Sequence, residues 1–175
     1  MEKRTIPLVV FLVLALSFFH WSYGLNLIFF NLGLFLGFLL YDLDHFIYCF
    51  WQFPQELTPQ RVKYLVNQKQ YRQAFFLVWQ TRKERTKTIF HSVFFQTILL
   101  IVCFLILFSS PSLFGKGIIL GLFGHSLMEQ GIALAKNETL DNWFWQFREK
   151  PATNIQGIYF AFLFLLFLIF SLLLV

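Results

Sequence analysis

Six residues of this 175-residue chain have the chemistry to hold a metal ion: Asp42, Asp44, His45, His91, His125 and Glu129, each set in or beside an apolar stretch. An ionisable side chain in hydrocarbon is costly, by a few kcal/mol or far more, so it persists only where a partner or a function compensates it. Imidazole favours the later transition metals, so a mixed histidine and carboxylate set suits zinc, manganese or iron better than magnesium. The expected cofactor is a divalent transition metal, zinc or manganese first. Such an ion polarises a phosphoryl or acyl oxygen and lowers the pKa of a coordinated water.

The elements that must position these residues are membrane helices. The chain is 58% hydrophobic and only 13% charged, against roughly a quarter charged in soluble domains, which excludes an ordinary soluble enzyme. The expected fold class is all-α, a polytopic membrane helix bundle forming a single membrane domain over residues 1–175. Five apolar stretches, 6–23, 25–51, 89–108, 117–135 and 158–175, approach the ~17 to 25 residues that a spanning helix needs. Lys3 and Arg4 precede the first, but no small-residue cleavage site comes before Gly24, so it reads as an uncleaved anchor. Cys49 and Cys103 fall at different depths, and no disulfide is expected.

Orientation follows from the basic residues. The loop 52–88 carries Arg61, Lys63, Lys69, Arg72, Arg82, Lys83, Arg85 and Lys87 against Glu56 and Glu84. By the positive-inside rule this loop and the N-terminus face the cytoplasm, and Val175 lies outside. The net charge of +5 then reflects topology and contact with acidic membrane lipids. No nucleic-acid partner is expected, and nothing in the chain fixes an oligomeric state.

Depth and helical face bring the candidate ligands together. Asp44, His91 and Glu129 each fall within two turns of the inner end of their spans, roughly 5 to 10 Å inside the cytoplasmic edge at 1.5 Å per residue. His125 and Glu129, at i and i+4, share one side of their helix beside Gly117, Gly121 and Gly124. Gly33 and Gly37 form a small-xxx-small face that favours close helix approach and continues almost directly to Asp44. Asp44, His91, His125 and Glu129 therefore rank first as metal ligands. Asp42 lies about 200° round a regular helix from Asp44, which requires a local kink, a second ion, or a role for one carboxylate in orienting a His ring. His45, one turn from Asp42, suits either of the last two. Arg85 and Lys87 are candidate contacts for a substrate phosphate at the membrane surface, alongside their topological role. His20, beside Trp21 at the opposite face, is left out of the set.

Two further segments flank the site. Thr58-Pro59 reads as a helix start with Thr58 as cap, and Val62, Leu65, Val66, Ala74, Phe75, Val78 and Trp79 recur at helical spacing. One or two amphipathic helices are expected there, apolar side to lipid, or else a solvated connector. The segment 137–151 sets Trp143, Phe144, Trp145 and Phe147 among charged residues, a composition that suits an interfacial belt flat on the inner leaflet.

The strings Tyr41-Asp42-Leu43-Asp44-His45, Phe90-His91-Ser92 and Gly124-His125-Ser126-Leu127-Met128-Glu129 resemble the YdjM-type family of bacterial inner-membrane metal-dependent hydrolases. That family has an Asp-x-Asp-His element after a span, a Thr-His-Ser element opening another, and a Ser-His followed four residues later by Asp. The resemblance covers about residues 33–135. It implies a bacterial inner-membrane location and a metal-dependent hydrolase. This chain departs from the pattern: Tyr41 stands where a Pro usually precedes the first Asp, Thr86-Lys87 replaces a His-Arg pair, and Glu129 replaces Asp.

The leading expectation is a metal-dependent hydrolase acting on a lipid-borne ester or phosphoester at the cytoplasmic leaflet, with Asp42 or His45 orienting a ligand or serving as general base. The alternatives are a proton- or cation-coupled transporter, in which the same residues form a relay, and a non-catalytic membrane scaffold. Transporters usually place their site near the midplane and repeat their halves. These ligands sit towards one edge, and the spans show no repeat.

Overall fold

The computed structural model describes residues 26–173; the expected first span, 6–23, and His20 lie outside the described residues. The described chain is all-helical. Its order is α1 (Asn26–Tyr41), α2 (Asp44–Ile47) running on into a π-helical turn (Tyr48–Gln52), α3 (Leu57–Asn67), α4 (Tyr71–Gln80), a 3₁₀ turn (Arg82–Glu84), α5 (Val93–Ser109), α6 (Leu113–Ala135) and α7 (Thr153–Leu173). Among the described residues, three helical runs are long and apolar enough to cross a membrane: Asn26–Gln52, Leu113–Ala135 and Thr153–Leu173. Phe29, Phe35, Phe104, Phe162 and Leu165 are exposed on the outside of the bundle, a surface solvated by acyl chains in a bilayer. Phe30, Leu34, Leu99, Leu120, Phe123, Leu163 and Phe167 fill the space between α1, α5, α6 and α7.

The tightest contact is between α1 and α6, which run parallel. A Cβ added to Gly33 or Gly37 would collide with the carbonyl oxygen of Phe114 or Ile118, and one added to Gly117 or Gly121 with that of Phe30 or Leu34. Each glycine therefore presents a Cα–H to a carbonyl of the other helix, the close approach that small residues permit between membrane helices. The approach continues beyond the glycines to Phe38 and His125, whose rings stack with centroids 4.1 Å apart.

Two helix starts differ from the sequence-based expectation. α5 starts at Val93 instead of residue 89 because the amides of Ile89 and Phe90 turn away to a buried carboxylate, and Ser92 caps the new start by accepting from the Phe95 amide at 3.2 Å. α3 begins at Leu57 with Glu56 as its cap residue. Thr58 instead donates to Glu84, and the missing N–H of Pro59 is harmless anywhere in the first turn.

The amphipathic pair α3 and α4 does form, but Val62, Ala74 and Val78 pack on Tyr48 and Cys49 rather than facing only lipid. The segment 137–151 is likewise fastened to the bundle. The Val93 amide donates to the Trp143 carbonyl at 3.0 Å, the Trp145 indole donates to the Thr88 carbonyl, and Trp143 and Phe144 are buried with Leu140. Burial of these rings against α5, α6 and α7 docks the segment on the bundle.

Gly37→Ala and Gly121→Ala should each destabilise the fold by about 1 to 3 kcal/mol, the usual range for forced overpacking. Gly157→Ala, where nothing lies within 4 Å of the added Cβ, should leave the unfolding midpoint in detergent unchanged or slightly raised. Equal midpoints for Gly37→Ala and the wild type would contradict the contact.

Candidate metal centre

The chain breaks its helix where the chemistry begins. After Tyr41 the amides of Asp42 and Leu43 bond back to Leu39 and Leu40, three residues earlier, and α2 restarts at Asp44. This tightened turn is the kink that Asp42 requires, formed without the proline of the resembled family. It sends the two carboxylates to different partners.

Asp42 turns to α6. Asp42, His125 and Glu129 each offer one ligand atom, all within 4.8 Å of one another. His125 Nε2 stands 3.9 Å from Asp42 Oδ1 and 3.6 Å from Glu129 Oε1. Ligand atoms about 2.1 Å from a tetrahedral ion lie roughly 3.4 Å apart, so the cluster needs only small adjustment to close on a cation. Two observations bear on the capacity of these atoms to take such a guest. Asp42 Oδ1 is buried with no hydrogen-bond partner, which is costly for a carboxylate oxygen. His125 Nδ1 faces the Phe38 carbonyl oxygen at 2.7 Å; a carbonyl only accepts, so Nδ1 carries a hydrogen, and Nε2 is the ring nitrogen left to face the acids and to ligate a cation in the neutral ring. Phe38 and Tyr41 both stack on the imidazole and fix its plane.

Asp44 turns the other way and is fully buried. Its oxygens accept from the amides of Ile89, Phe90 and His91 at 3.1, 2.7 and 3.4 Å and from His91 Nδ1 at 3.1 Å. Ranked first as a ligand from sequence, Asp44 thus has its lone pairs committed to the loop before α5. His91 spans the two sites, since its Nε2 also meets Glu129 Oε2 at 2.5 Å. Both ring nitrogens face carboxylates, which only accept, so both donate and the ring has no lone pair for a metal in this arrangement. Asp42, His125 and Glu129 are brought together; Asp44 and His91 are held beside them.

His45 is buried and stacks on His91 with centroids 5.4 Å apart. Its Nδ1 faces Arg85 Nε at 3.5 Å, while its Nε2 has no partner. Arg85 is also buried and donates to the Val78 carbonyl, to Thr81 Oγ1 at 2.9 Å and towards Cys49 Sγ at 4.0 Å. Burial pulls its guanidinium below the usual value, though an arginine stays charged. Lys87 is exposed and its backbone carbonyl accepts from Gln52. A cavity of about 580 Å³ opens beside the cluster, with Glu129, His91 and His45 on its wall together with Arg82, Arg85, Trp79 and Trp143.

Two contributors escaped the sequence reading. Tyr41 stacks on His125, meets His91 edge-on at 4.8 Å and donates to the Phe90 carbonyl at 2.9 Å. Its position continues the four-residue step from Gly33 and Gly37, a signal that was present. Arg82 pairs with Glu129 Oε1 while its guanidinium lies over Trp79. Nothing in the basic run 61–87 singles it out. Comparison of the chain with known protein families, curated sequences and solved structures returned no match. The class defined by the structure is therefore a helical, membrane-associated protein with a buried Asp/His/Glu cluster able to coordinate a divalent metal.

Asp44→Asn replaces an acceptor-only group with one that offers a single oxygen and two unwanted N–H donors. A loss of about 2 kcal/mol and faster hydrogen exchange in residues 89–91, read by mass spectrometry, are expected. Unchanged exchange there would contradict the anchoring role.

Proposed function

We propose that this protein is a membrane-embedded metal-dependent hydrolase, a divergent member of the YdjM-type family, acting on a lipid-borne ester or phosphoester at the cytoplasmic leaflet of the bacterial inner membrane. The observation that carries the reading is the convergence of His125 Nε2, Glu129 and the Asp42 Oδ1 that lacks a hydrogen bond, with the other ring nitrogen committed to the Phe38 carbonyl. In this reading Asp42, His125 and Glu129 hold the ion, and zinc or manganese suits the donor set. Bound there, the metal would supply Lewis-acid polarisation of the substrate's phosphoryl or acyl oxygen and activation of water.

The other residues act on those three. Phe38 and Tyr41 hold the His125 ring, the Phe38 carbonyl fixing its tautomer. Asp44 fixes His91, and His91 in turn fixes Glu129, the chain of hydrogen bonds that commonly orients a metal ligand. Arg82 neutralises Glu129 from the cavity side, and a divalent ion would compete with that guanidinium for the same oxygen. The adjoining cavity gives a substrate a path to the cluster. A position at one end of α1 and α6, open to one side, favours hydrolysis over a relay through the bilayer.

Purified protein equilibrated with zinc or manganese and desalted should retain about one ion per chain by elemental analysis. Asp42→Asn and His125→Ala should each lose it, whereas His45→Gln should keep it. Absence of retained metal in the wild type, or full occupancy in both ligand variants, would overturn the reading.

A further inference from the structure

The cavity wall next to the cluster carries three basic residues, Arg82, Lys83 and Arg85, beside the acids Glu129 and Glu138, and among the described residues only Arg82 of the three is paired with a carboxylate. Arg85 is only 5% exposed, and all its hydrogen bonds go to neutral groups: the Val78 carbonyl, Thr81 Oγ1, Cys49 Sγ and His45 Nδ1. Among the described residues no carboxylate forms an ion pair with it. A buried guanidinium without a counter-charge is costly unless an anion compensates it.

His45 points to the same need. Arginine has donors and no acceptor, so the His45 nitrogen facing Arg85 must be the unprotonated one, and the ring hydrogen sits on Nε2. That Nε2–H belongs to a ring only 5% exposed and has no partner. The two histidines thus commit opposite ring nitrogens: His125 donates its Nδ1–H to a carbonyl, and His45 keeps an Nε2–H for an acceptor that the protein does not provide. Arg82 and Lys83 border the same cavity.

We propose that this cavity is a subsite for a phosphate group, held by His45 Nε2–H, Arg82 and Lys83 in the field of the buried Arg85. The donors come from α2 and from the 3₁₀ turn and its following residue, so they approach from more than one side. That arrangement suits a tetrahedral group with three free oxygens better than a planar carboxylate. As the substrate class of the enzyme, a phosphate ester rests on the hydrolase reading above. The anion site itself stands on Arg85 and His45 and does not require a metal at Asp42, His125 and Glu129. The phosphate could come from a lipid headgroup or from solution, and the chemistry of the wall is the same for both.

The test uses the full chain in detergent and in nanodiscs, with chelator throughout, so that its outcome is independent of metal binding. Inorganic phosphate is titrated by calorimetry, and phosphatidylcholine nanodiscs with and without phosphatidic acid are compared for competition. The wild type should bind phosphate, and Arg82→Gln and His45→Leu should each weaken it at least about tenfold, the scale of one lost charge-assisted hydrogen bond. Lys63→Gln, an equal loss of charge outside the cavity, should not. Arg82 is partly exposed, so its substitution leaves the core intact even if His45→Leu perturbs folding. Competition by phosphatidic acid supports a lipid source, and binding without competition supports the free anion. No binding by the wild type, or equal affinity in Arg82→Gln and Lys63→Gln, overturns the subsite.

Discussion

Carbonyl oxygens of α1 lie over the glycines of α6, and those of α6 over the glycines of α1. No side chain intervenes, so the two parallel backbones are locked in register, and the residues in the next two turns must also meet. Those residues are Phe38 and Tyr41 on one side and His125 and Glu129 on the other. The stacking of both aromatic rings on His125, and the reach of His125 Nδ1 to the Phe38 carbonyl, follow from that register. A bulkier residue at any of the four glycines would move the histidine away from the carbonyl that sets its tautomer.

The second constraint is the break after Tyr41. On a continuous helix Asp44 would follow the glycine face and Asp42 would point away. The tightened turn at Asp42–Leu43 changes both directions, so Asp42 meets α6 while Asp44 is buried under the loop that opens α5. The carboxylates thereby divide the work. One keeps a free oxygen next to His125, and the other saturates its lone pairs with three amides and a ring N–H. Asp44 is thus a folding residue for the site: it holds His91, through which Glu129 is held.

Much of this was legible in the sequence. The glycine spacing, the shared face of His125 and Glu129, and the common depth of residues on three helices pointed to one cluster, and apolar periodicity gave the helices themselves. The missing part was directional. Helical-wheel reasoning assumes unbroken geometry, so it could flag Asp42 as needing a kink but could not say which carboxylate would gain from it. Arg82 and Arg85 were indistinguishable within a run of basic residues, because their difference from Lys87 arises only from how the turn at 82–84 folds against Cys49 and Glu129. The Trp-rich segment read as interfacial from composition, and composition could not show that the Trp143 carbonyl and the Trp145 indole also tie it to Val93 and Thr88.

Charge connects the site to its surroundings. Three carboxylates are balanced on one side by Arg82 and a doubly bonded His91, and beyond them the wall turns basic through Arg85 and Lys83. The arrangement sets a cation-binding cluster beside an anion-binding cavity wall, with Glu129 common to both. The claim on which the rest depends is that His125 Nε2, with the two acids, is a metal ligand. X-ray absorption at the zinc edge of the loaded protein tests it most directly. The account expects one imidazole nitrogen and carboxylate oxygens at about 2.0 to 2.2 Å, with the imidazole signature absent in His125→Ala. An oxygen-only shell in the wild type, or an imidazole signature that survives that substitution, would contradict it.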